Sequence, residues 1–77
     1  MTYNYTIIFE TEEEGGYHVF CPSLPGCHSY GATLDEAKAN IKEAIEVYVE
    51  SLKKDGEAIP IEKDFLIGEL KLELAAA

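Results

Sequence analysis

Apolar and polar positions follow two different rhythms along this chain. Over residues 3–10, YNYTIIFE, they alternate: Tyr3, Tyr5, Ile7 and Phe9 share one parity, Asn4, Thr6 and Glu10 share the other, and only Ile8 interrupts. A period of two in β-branched and aromatic residues predicts a half-buried strand. The TEEEGG stretch that follows is charged and ends in two glycines free to take positive φ, which predicts a turn. YHVFC is a second run, with Tyr17, Val19 and Cys21 on one face, so the first 21 residues read as a hairpin. PSLPG breaks that run, and CHSYGA is a third short strand weakened by Gly31.

The rhythm then changes. Leu34, Ala37, Ile41, Ala44, Ile45, Tyr48, Val49 and Leu52 recur at steps of three and four, one apolar stripe on a helix from Leu34 to about Asp55. Thr33 is the expected N-cap, with Glu36 completing a capping box. Asp35 and Glu36 stand at the positive end of the helix dipole, and Lys53 and Lys54 at the negative end. Gly56 is the expected C′ residue, and Pro60 forbids continuation. The alternation returns in FLIGELKLEL: Leu70, Leu72 and Leu74 against Glu69, Lys71 and Glu73, a fourth strand in which Gly68 marks a bulge or bend. The three closing alanines carry no pattern.

The predicted class is α+β, in the order β-β-β-α-β. A three-stranded meander followed by a right-handed crossover gives a four-stranded mixed sheet of order 3-2-1-4, with one helix on one face. One helix covers only part of such a sheet, so the tyrosines, Ile7, Phe9 and Val19 are available to either the helix or a second subunit. A 77-residue chain is expected to be one domain, residues 1–77, with little core to spare. Both points predict a homo-oligomer, most simply a dimer.

Charge narrows the partners. The formal charge is −9, with fifteen acids, six lysines and no arginine. Neutralising phosphates and reading guanine require basic side chains, so direct nucleic-acid binding is not expected. A basic protein is the better match, because opposite charge steers encounter. The N-terminus lacks the basic flank and apolar core of a signal peptide, and no apolar run reaches the roughly 20 residues of a spanning helix. The expectation is a cytoplasmic protein away from the membrane, with reduced cysteines.

Three chemistries compete for the motif-rich stretch and the acids. His18, Cys21, Cys27 and His28 are zinc-ligand types, but strand geometry sends His18 and Cys21, and likewise Cys27 and His28, to opposite faces. No metal and no cofactor are expected. Cys27 and His28 offer a nucleophile and a base, yet neighbours in a strand point apart and no orienting third group is evident. The element order resembles the front of a ribonuclease H domain, where acids hold catalytic metal. Glu10, Glu43 and Asp64 are the acids to weigh, but Glu43 lies beside the apolar stripe and no acid occupies the middle of the first strand, so they read as surface charge. No catalytic residue is assigned. What remains is a proline-held loop at a sheet end, where binding residues tend to sit. Leu24 is either a plug into the core or an exposed apolar tip. Glu12, Glu13, Glu14, Tyr17 and Leu24 are the candidate partner-binding residues.

Taken together, these motifs resemble the HicB-like antitoxin family. The string runs from Gly16 and Tyr17 through Pro22, Leu24, Pro25, Gly26 and Cys27, then Gly31, Thr33, Glu36 and Ala37, then Glu43, Ala44 and Ile45, and ends at Asp55, Gly56, Ile59 and Pro60. The resemblance implies a partial ribonuclease H-like fold without the nuclease centre. It implies neutralisation of a small basic ribonuclease toxin of the HicA type, and self-association. Members often carry a further C-terminal DNA-binding domain; here the sequence stops after the fourth expected strand, so no separate DNA-binding domain is expected. The alternatives are an orphan dimeric domain of this family with another protein partner, or a metal-dependent ribonuclease H-like hydrolase.

Overall fold

The computed structural model describes residues 2–75. Its elements are β1 (Ile8–Thr11), β2 (Tyr17–Phe20), β3 (His28–Gly31) and α1 (Leu34–Lys54). The strands form an antiparallel sheet of order β1-β2-β3, so the fold is α+β with a three-stranded meander and one helix. Register is continuous across it: Phe9 faces Val19, which faces Ser29, and Thr11 faces Tyr17, which faces Gly31.

The hairpin turn forms as its glycines require. Gly15 and Gly16 both take positive φ, at 100° and 83°, and Glu12 N–H donates to the Gly16 carbonyl. The proline loop is closed by its own backbone: Cys21 N–H donates to the Cys27 carbonyl, Leu24 N–H to Cys21, and Cys27 N–H to Leu24. That small knot drives Leu24 inward. Leu24 joins Val19, Cys21, Cys27, Ala37 and Ile41 in the core, with Tyr5, Ile7, Phe9, Tyr17, Ala44, Ile45 and Tyr48 packed around it.

The helix is capped at both ends. Thr33 Oγ1 accepts from Glu36 N–H at 3.1 Å, while Glu36 reaches back to Ala32 N–H, one residue earlier than a standard capping box. At the C-terminus, Gly56 (φ 69°) donates to the Lys53 carbonyl and Glu57 to Leu52, the paired bonds of a Schellman motif. The expected end at Asp55 is the C-cap itself. β3 and the helix start approach so closely that a Cβ on Gly31 would lie 2.2 Å from Ala37 N, which only glycine permits.

Two expectations are corrected. The first strand is hydrogen-bonded only over Ile8–Thr11; residues 3–7 lie outside the ladder, with Tyr5 and Ile7 packed against the core. The fourth strand is not formed in this chain. Residues 57–75 carry no regular structure, and the sheet order is three strands, not 3-2-1-4. Period-two alternation specifies which side of a segment is apolar, but strand formation also requires a neighbour's backbone, which the pattern does not specify.

Candidate functional site

Antiparallel pairing sends alternate residues to opposite sides of the sheet. The odd-numbered set, including Phe9, Val19 and Tyr17, lies under the helix with the core. The even-numbered set builds the other face: Ile8, Phe20 and His28 form one cross-strand row, and Glu10, His18 and Tyr30 the next. No element covers this face among the described residues. Tyr30 is 50% exposed and His28 is exposed, while Ile8, His18 and Phe20 are half-buried by one another.

The side chains on this face are mutually held. His18 Nδ1 lies 3.0 Å from Glu10 Oε1, its ring stacks on Phe20 with centroids 5.9 Å apart, and it meets His28 at 5.4 Å. Tyr30 Oη donates to the Gly15 carbonyl at 3.0 Å, which ties the face to the acidic turn. There, Glu12, Glu13 and Glu14 are exposed and line a polar recess of about 570 Å³ with Tyr30. At the opposite end, Phe20 and both histidines meet Pro22 and Pro25 around a hollow of about 470 Å³. The result is one continuous surface: acids at one end, imidazoles and an aromatic in the middle, prolines at the other.

Cys21 and Cys27 border that same hollow from its core side. Cys21 and Cys27 are buried free thiols on the core side. Burial raises the pKa of both, with the neighbouring thiol adding to the rise at Cys27, so both stay protonated and are weak nucleophiles at neutral pH. The thiols are buried in the core while the imidazoles lie on the open face, and among the described residues no three potential ligands are placed to hold a metal ion. Among the candidate partner-binding residues, Glu12, Glu13 and Glu14 are open to solvent. Tyr17 is half-buried on the core side. Leu24 is fully buried, the core-plug reading of its two, and it sets the loop's shape. Reading single residues passed over Ile8, Glu10, His18, Phe20, His28 and Tyr30 as a group. The signal was present in their shared even parity, which the hairpin register brings together.

An uncovered sheet face with charge at one end is the main exposed surface of the described residues. The chain belongs to the family of HicB_like antitoxins of bacterial toxin-antitoxin systems, whose profile matches residues 5–72. It is 51% identical over 70 residues to a UPF0150 protein of Synechocystis sp., spanning 91% of this chain and 87% of that one. A UPF0150 protein of Thermoplasma acidophilum is 55% identical over 56 residues, covering 73% of this chain and 81% of its own. One from Helicobacter pylori is 41% identical over 64 residues, covering 83% and 89%. No helix among the described residues is long and apolar enough to cross a membrane.

Proposed function

We propose that this chain is a non-catalytic antitoxin that masks the active site of a small basic ribonuclease toxin of the HicA type, in the cytoplasm, as a single-domain homodimer that does not itself bind nucleic acid. The observation that carries this reading is the continuity of the acidic turn with the uncovered sheet face. Glu12, Glu13, Glu14 and Glu10 give the partner's positive charge an approach, and Phe20, Tyr30 and the two imidazoles give it a contact area once docked. Tyr17 supports the turn from the core side. Long-range charge sets association rate, while desolvated aromatic contacts set residence time. Catalysis by this chain finds little support, because both thiols are buried in the core and burial keeps them protonated. The ribonuclease H-like character of the family would persist here as a scaffold only.

Co-expression with a basic chain from the adjacent reading frame tests the proposal. The two should co-purify, and growth arrest by the basic chain should be relieved. Changing Glu12, Glu13 and Glu14 together to glutamine should slow association several-fold and flatten its dependence on salt, with the fold unchanged. Separate purification and persistent toxicity would leave the orphan dimeric domain as the better account.

A further inference from the structure

The segment after the helix has two parts with opposite behaviour. The first is pinned to the body: Glu62 accepts from Thr6 N–H at 2.6 Å, from Thr6 Oγ1 at 2.9 Å and from Ser23 Oγ at 3.1 Å, and Tyr5 Oη donates to the Pro60 carbonyl. The second leaves it. Leu66, Leu70, Leu72 and Leu74 are 100%, 89%, 74% and 82% exposed, and the chain's radius of gyration is 15.9 Å. A compact chain of this length would have about 11–12 Å. Residues 65–74 are an arm, and its even-numbered side is wholly apolar: Leu66, Gly68, Leu70, Leu72 and Leu74.

The body has the matching vacancy. β1 is paired only to β2, so its outer edge presents unpaired backbone groups. Between the residues leading into β1 and the helix runs a groove of about 480 Å³, its floor apolar at Tyr5, Ile7, Ile41 and Ile45 and its helix rim charged at Asp35, Lys38, Lys42 and Glu46. A fourth strand beside β1 would lie there, with its leucines directed into the groove. No residue of 65–74 lines that groove.

We propose that the arm of one copy is the fourth strand of another, so that two chains exchange residues 65–74 reciprocally and each completes the 3-2-1-4 sheet with its partner's strand. The proposal rests on the self-association proposed above and specifies its interface. The connection is short: only Lys63 and Asp64 separate pinned Glu62 from the arm, and a short hinge favours exchange over folding back. The area is sufficient. Eight leucines from two arms, at about 60–120 Å² each, and a similar area of groove reach roughly 1,000–2,000 Å², the range of stable interfaces. Exchange also removes the two features most prone to uncontrolled association, an open edge and an exposed apolar strand.

Sedimentation together with cross-linking of mixed variants tests this. Lys42→Cys and Leu72→Cys chains, refolded together and treated with a short bismaleimide, should give a covalent heterodimer, since the native thiols are buried. Leu70→Asp should convert the wild-type dimer to a monomer that retains its helical ellipticity. A wild-type dimer without the mixed cross-link, or a Lys42→Cys/Leu72→Cys double variant linked only within one chain, would overturn the exchange and leave self-association standing. A wild-type monomer at micromolar concentration would overturn both.

Discussion

Leu24 lies between two prolines whose fixed φ pre-shapes its loop, and it is fully buried. From the sequence it reads equally as a plug or an exposed tip, because PSLPG has no periodicity to assign a side. The backbone bonds that fold the loop back on itself decide the matter, and they depend on tertiary closure between Cys21 and Cys27. Leu24→Ala should therefore lower stability by about 2–5 kcal/mol, as large-to-small core changes do. Chemical denaturation would check this. A variant of unchanged stability with faster dissociation from a partner would place the side chain at the surface instead.

At the scale of elements, the helix was legible almost to the residue, because its stripe, its N-cap and its C′ glycine are all local signals. The sheet was legible in its meander and its turn. The fourth strand was not, because its alternation says nothing about which backbone it pairs with. Nor was the latch at Glu62, which joins residues 56 positions apart through a connector of no regular pattern. Hydrogen bonds from Thr6 hold the Glu62 carboxyl below the usual glutamate range, against a smaller opposing effect of burial. A carboxyl depressed in the folded state contributes stability above its unfolded pKa of about 4.3, and loses it as pH falls through the lower folded value. Glu62→Gln should thus be less stable than wild type at neutral pH, and the gap in Tm should close below about pH 4. A gap that is constant with pH would show that the ionised carboxylate is not what holds the connector.

For the whole molecule, a charge of −9 and a small core set the terms. Excess acid would steer encounter with basic partners, and a core of six buried side chains among the described residues leaves apolar surface that the proposed assembly would cover. The composition sets only the sign expected of a partner. It does not reveal the proposed docking face, which exists only after the hairpin register gathers six even-numbered residues from three strands. The most direct measurement is the ribonuclease activity of the adjacent basic chain on RNA while this protein is titrated in. Activity should fall to zero at a fixed molar ratio, and Phe20→Glu should abolish that inhibition while keeping the helix and the melting transition. Undiminished cleavage at molar excess, or full inhibition by Phe20→Glu, would contradict the masking of a toxin by this face.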